Sequence, residues 1–183
     1  MKQYQIAVII GSLRKDSLNA KLASAIAKMG PADFKFKPVP IGDLPLYNQD
    51  DDANPAESVK KLKAAIAAAQ GLLFVTPEYN RSIPGVLKNA IDHASRPYGQ
   101  SAWAGKPAGI LGASPGVIGT ALAQQHLRNI LSCLDVRSMG LPEAYIQVTD
   151  EFFDKDGNIG ELSKSFMQNW INQYVDWVKQ HAN

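Results

Sequence analysis

The sequence predicts an α/β fold in which a parallel sheet is covered by helices on both faces, and three observations predict it. Strand-like apolar runs alternate with segments of helical spacing five times along the chain. Such an order implies parallel crossovers, which are right-handed and place a helix between successive strands. The opening run, Tyr4 to Ile10, is rich in Val and Ile and stops at Gly11, as a central parallel strand does. Finally, 183 residues with 45% apolar content suit one domain with a full core.

After the first strand, residues 17–29 carry Leu18, Leu22, Ala25, Ile26 and Met29 at helical spacing, closed by Gly30-Pro31. Phe34 to Val39 alternates apolar residues with lysine, the pattern of an edge or half-exposed strand. A long loop follows, where Asp50-Asp51-Asp52 reads as a solvated turn. Asn54, Pro55 and Glu57 predict a helix start with Asn54 as N-cap, and Val59, Leu62, Ile66 and Ala69 form its buried face. Leu72 to Thr76 is the third strand, and Pro84 opens a helix through Ala94. Pro107 to Ala113 is the fourth strand, with a helix from about Thr120 to Leu134 behind it. A strand region near Val136 to Val148 is interrupted by Gly140 and Pro142. The last helix shows Phe166, Trp170, Tyr174 and Trp177 along one stripe, which reads as core.

Composition narrows the function. The net charge of +2 is near neutral, and scattered lysines and arginines argue against a nucleic-acid surface. No run reaches the roughly 18 apolar residues of a spanning helix, and no signal core precedes the first strand. The single Cys133 excludes an intrachain disulfide and reads as a half-buried helix residue in a reducing compartment. A soluble cytoplasmic protein is expected. His93, His126 and His181 lack metal-ligand spacing, and no Gly-x-Ser-x-Gly elbow supports a hydrolase, so no metal is expected. Asp154 to Asn158 starts like a calcium loop but misplaces its glycine, and it reads as a turn.

In such sheets ligands sit at the carboxyl ends of the strands, so the loops after strands one, three and four should carry the chemistry. The first runs Gly11 to Asn19 into a helix start, where free N–H groups and the helix dipole favour an anion. Ser12, Ser17, Asn19 and Arg14 add donors for a phosphate, while ordinary helix capping accounts for only one of them. The spacing is neither a P-loop nor Gly-x-Gly-x-x-Gly. The second loop, Thr76 to Gly85, is bracketed by prolines. It is either a stiff connector or a pinned backbone facing a planar heterocycle, with Tyr79 beside it. The third, Ala113 to Thr120, has glycines that let backbone approach a flat ligand.

Two of these segments, Gly-Ser-Leu-Arg-x-x-Ser-x-Asn from Gly11 and Pro-Glu-Tyr-Asn-x-Ser-x-Pro-Gly-x-Leu-Lys-Asn-Ala-Ile-Asp from Pro77, together resemble the NADPH-dependent FMN reductase family. The bacterial chromate and quinone reductase branch is the most similar, over nearly the whole chain. The resemblance implies a flavodoxin-like three-layer α/β/α sandwich, a five-stranded parallel sheet in the order 2-1-3-4-5, and one FMN-binding domain over 1–183. It implies that Ser12, Arg14, Ser17, Leu18 and Asn19 hold the FMN phosphate. Pro77, Glu78, Tyr79 and Asn80 would line the isoalloxazine, Ser114 would close the other side, and Lys88, Asn89 and Asp92 would give structural support.

By the same resemblance, NADPH or NADH is a transient donor, and hydride passes to flavin N5 and on to a quinone, chromate, an azo compound or free flavin by ping-pong turnover. FMN carries the chemistry without a catalytic acid–base dyad, and second-loop N–H groups would stabilise the reduced ring. Relatives often carry a tyrosine where this chain has Arg81, and an arginine and a tyrosine where it has Leu122 and Gln125. Those positions order a subunit interface in relatives, so a homo-oligomer, dimer or tetramer, is expected with different contacts. Arg81 is expected to attract anionic acceptors or the nicotinamide phosphate. Two other readings share the fold: an electron-carrier flavodoxin, against which the slightly basic charge weighs, and a colourless non-enzymatic domain binding a phosphorylated metabolite.

Overall fold

In the computed structural model, which describes residues 2–182, the strands are β1 (Tyr4–Ile10), β2 (Phe34–Pro38), β3 (Gly71–Val75), β4 (Pro107–Ser114), β5 (Arg137–Ser138) and β6 (Tyr145–Gln147). The helices are α1 (Leu18–Met29), α2 (Glu57–Ala68), α3 (Gly85–Ala94), α4 (Ala121–Cys133) and α5 (Glu161–His181), with a single 3-10 turn at Gln49–Asp51. The sheet runs β2-β1-β3-β4-β5 and its recorded pairings are parallel. The interrupted strand region becomes two short strands, β5 and β6, which pair in turn with the start and the end of β4.

Period-2 alternation sorts the strand residues onto two cores. Ile6, Val8, Leu73, Val75 and Leu111 pack with Leu22 and Ile26 of α1 and with Trp170 and Tyr174 of α5. Ala7, Ile9, Leu72, Phe74 and Ile110 face Leu62 of α2, Leu87 of α3 and Leu127 of α4. Gly109 lets the large aromatics of α5 lie on β4, because a Cβ there would stand 2.6 Å from the Tyr174 ring. Tyr174 donates its hydroxyl to the Leu72 carbonyl at 2.9 Å, and burial pushes its pKa well above the usual phenol value.

Three local expectations change. α2 is capped by Ala56 without a side-chain bond; Asn54 instead closes a turn onto Asp51, and Glu57 pairs with Lys60. In the α5 stripe only Trp170 and Tyr174 are fully buried, while Phe166 is exposed and Trp177 half-buried. The buried face is completed by Met167, Ile171, Val175 and Val178, so the inward stripe is centred to one side of the aromatic one and leaves Phe166 and Trp177 at its edge. Cys133, at the last turn of α4, is exposed. No helix among the described residues is long and apolar enough to cross a membrane.

Candidate active site

The pairing register brings Ile10, Val75 and Leu111 level, so the chain leaves β1, β3 and β4 at one height. Gly11 donates to the Val75 carbonyl, and Thr76 to that of Leu111, at 2.9 and 3.1 Å. The three exits are tightly packed. A Cβ on Gly11 would lie 2.8 Å from Thr76 Oγ1, and one on Gly112 would overlap both the Thr76 carbonyl oxygen and Thr120 Oγ1.

The first loop ends in a capped helix. Ser17 has extended backbone, and its Oγ accepts from Ala20 N at 3.2 Å. Leu18 and Asn19 open α1, so their N–H groups have no intrahelical acceptor. Arg14 beside them is exposed. The Asn19 side chain is buried and engaged from both ends by the Ala113 backbone, at 2.9 Å each way. It thereby ties α1 to the end of β4.

The second loop contains a two-residue hairpin that its sequence did not announce. Tyr79 and Ser82 exchange backbone bonds of 2.9 and 3.0 Å, and Asn80 and Arg81 between them have φ of 53° and 65°. Left-handed backbone at both central residues is the geometry of a type I′ turn, which favours Asn-Gly over Asn-Arg. The hairpin is bound to α4. Glu78 Oε2 accepts from Leu122 N and Ala123 N at 3.0 and 3.1 Å, and His126 Nδ1 lies 3.0 Å from Ser82 Oγ. Arg81 pairs with Glu78 at 3.5 Å.

The third loop turns back through Gly119, where a Cβ would stand 2.5 Å from the Tyr145 backbone, and Thr120 at φ 75°. Burial and the neighbouring Glu143 push the Tyr145 phenol up, and its hydroxyl accepts from Gln125 at 2.8 Å. Behind the second loop, Lys88 pairs with Asp92 at 2.8 Å. Asn89 accepts from Tyr47 N and donates to the Pro45 carbonyl, 2.8 Å each, which anchors the long loop after β2.

Between the three loops lies a hollow of about 140 Å3. Ser12, Arg14, Ser17, Leu18 and Asn19 line it from the first loop, Pro77, Glu78 and Tyr79 from the second, and Ser114 from the third. An adjoining open hollow of about 380 Å3 shares Ser12, Arg14 and Tyr79. Asn80 and Arg81 stand outside both linings, at the hairpin tip. A larger hollow of about 510 Å3 lies between α2 and β1–β2, separate from the three loops, with mostly alanine and aliphatic walls. Among the described residues no group of three or more His, Cys, Asp or Glu is arranged to hold a metal ion.

Residues 4–150, which contain all three loops, match the model of the family described as NADPH-dependent FMN reductase. The chain belongs to this family. It is 52% identical over 176 residues to a 2-hydroxy-1,4-benzoquinone reductase of Burkholderia sp, covering 96% of each chain. A quinone reductase of Pseudomonas putida is 47% identical, over 96% of this chain and 95% of its own. Among solved structures, FerB, a flavoenzyme NAD(P)H:(acceptor) oxidoreductase from Paracoccus denitrificans, superposes with a TM-score of 0.95 at 48% identity. It covers 98% of this chain and 100% of its own. The chain is therefore an FMN-dependent enzyme that draws electrons from NAD(P)H, with the flavodoxin-like fold and strand order expected.

The sequence reading missed Glu78 as the partner of α4. Thr120 sits where an N-cap belongs, and nothing local shows that its left-handed backbone removes it from that task.

Proposed function

We propose that this family member reduces quinones with NADPH or NADH through FMN held at the carboxyl ends of β1, β3 and β4. The observation that carries the reading is the convergence of the α1 N-terminus, Arg14, Ser12 and Ser17 on one hollow walled by Pro77 to Tyr79. That donor set fits a dianionic phosphate: orphan N–H groups, a helix dipole, hydroxyls and a guanidinium. Ser12, Arg14, Ser17, Leu18 and Asn19 would hold the phosphate, Asn19 chiefly by positioning α1. Pro77, Glu78, Tyr79, Asn80 and Ser114 would surround the ring. The N–H groups of Tyr79 and Ser82 are used inside the hairpin, which leaves those of Glu78, Asn80 and Arg81 for the ring edge. When bound, FMN supplies the redox chemistry, taking hydride from the nicotinamide and passing electrons to the acceptor in a ping-pong cycle.

Arg81 would meet anionic acceptors. A hydroxyl on a 1,4-quinone ring is a vinylogous acid, ionised near neutrality, and a relative of this chain is named for such a quinone. Chromate, azo compounds and free flavin would reach the same open face. The whole of 1–183 acts as one domain, in the cytoplasm, and assembles as a dimer or tetramer through the exposed Val117 and Ile118 of the third loop and Leu122 in the first turn of α4.

An absorption spectrum tests the reading. A flavin band near 450 nm, characteristic of the cofactor itself, should bleach on anaerobic addition of NADPH or NADH and return with quinone. Bands that persist with both nicotinamides would favour an electron carrier, and a protein that never takes up FMN would leave only a phosphate-binding domain. Arg81→Ala should raise the KM for a hydroxylated quinone and leave that for an unsubstituted one; equal effects on both would remove Arg81 from acceptor recognition.

A further inference from the structure

We propose that Glu78 is a positioning residue: it caps α4 from the second loop, and through that contact it holds the Asn80–Arg81 hairpin and directs the anionic end of the ligand toward α1. The functional part rests on the FMN reading above.

α4 cannot cap itself. An N-cap has extended backbone and a side-chain oxygen free to accept from the second or third helical N–H. Thr120 has φ 75°, and its Oγ1 accepts from Gln124 Nε2 at 3.0 Å. Gly119, pressed against the Tyr145 backbone, fixes that geometry. Leu122 and Ala123 are the second and third residues of α4, and both N–H groups donate to Glu78 Oε2. Thus a carboxylate 44 residues earlier performs the missing cap, with its charge at the positive end of the helix.

The same carboxylate serves the hairpin. Its other oxygen lies 3.5 Å from Arg81, and its side chain is only 12% exposed. Left-handed backbone at Arg81 is unfavourable for a residue with a Cβ, and persists where the surroundings over-determine it. Glu78 before the turn and Ser82 after it each reach α4, which pins both ends of the hairpin. Electrostatically, the α1 N-terminus opens on the hollow, whereas the α4 N-terminus is filled by Glu78. A ligand with one anionic end is then drawn to α1 and repelled from the Glu78 side.

The test uses wild type, Glu78→Ala and Glu78→Gln. Amide hydrogen exchange on the apoproteins reads Leu122 and Ala123, and FMN titration and the midpoint potential of the bound flavin read the site. Glu78→Ala should lose about tenfold protection at those two amides and raise the FMN Kd about tenfold, the scale of one charge-assisted cap. Glu78→Gln, which keeps an acceptor oxygen, should bring the Kd back to within about threefold. Loss of the negative charge should raise its midpoint potential above wild type. Unchanged amide protection in Glu78→Ala overturns the proposal. So does an FMN Kd within twofold of a wild type that binds FMN. If Glu78→Ala fails to fold, an unchanged potential in Glu78→Gln overturns it instead. Should wild type take up no FMN, the cofactor reading falls, and the amide protection alone decides Glu78.

Discussion

The first and second loops meet at one hollow but are held by different means. Between its two ends, which are tied to Val75 and Ala113, the first loop is organised close to home: Ser17 caps the helix it precedes, three residues away, and leaves donors facing outward. From Thr76 to Gly85 the backbone has less favourable geometry, with two consecutive left-handed residues, and it depends on α4 some 44 residues on. A segment built on local capping tolerates loss of a neighbour, whereas one built on distant contacts moves as a unit with its partner. The contrast suits the two jobs proposed for these loops, a fixed phosphate end and a ring edge whose geometry is set from outside.

The largest effect should come from removing the space the second and third loops share. Gly112→Val places a side chain on the Thr76 carbonyl and on Thr120, and should destabilise the protein by about 3 kcal/mol. Chemical denaturation would read this; a variant as stable as wild type would show that the junction can yield. Arg14→Ala should separate binding from folding. Arg14 is exposed, so stability should stay within about 0.5 kcal/mol. The FMN Kd should nevertheless rise roughly 10- to 100-fold, the range of one hydrogen bond to a charged group.

Arg81→Gly works in the opposite sense. It removes the left-handed penalty at φ 65° and should stabilise the protein by up to about 1 kcal/mol, while turnover of anionic acceptors falls. A melting temperature below that of wild type would mean that the Glu78 pair outweighs the strain. The smallest effect concerns another locally closed turn, Asp154 to Asn158. Asp154 accepts from Asn158 N, Asn158 Nδ2 and Asp156 N, and these bonds, those from Asn158 first, hold its carboxyl below the usual range. A lowered folded-state pKa means stability fully present above the unfolded value and lost as pH falls through the folded one. The protection of the Asp156 and Asn158 amides, taken relative to the intrinsic exchange rate at each pH, should therefore fall only in that acid window, and a protection that does not change with pH would detach the turn from its carboxylate.

The alternation of Ile6 to Ile9, the glycine after the first strand and the helical spacing of Leu22 and Ile26 were legible because they are short-range consequences of periodicity. Around the hollow, Ser12, Arg14, Ser17, Asn19 and Tyr79 were named from the loops themselves, because helix starts and strand exits carry their own donors, whereas Leu18, Pro77, Glu78 and Ser114 were named only through the family resemblance. The N-cap expected at Asn54 failed for a related reason. The 3-10 turn before it took that residue, and the long loop's path is set by Asn89 and His93 of α3.

By itself, then, the sequence determined the layers, the strand count to within one interruption, and the loops that meet at the carboxyl ends. Tertiary structure alone decided that Glu78 caps a distant helix, that Asn19 clamps Ala113, and that Arg81 takes a left-handed turn. Periodicity and capping act over three or four residues, and propensity reports them. A carboxylate chooses between solvent, ligand and a helix end only after folding has brought that end within hydrogen-bond reach.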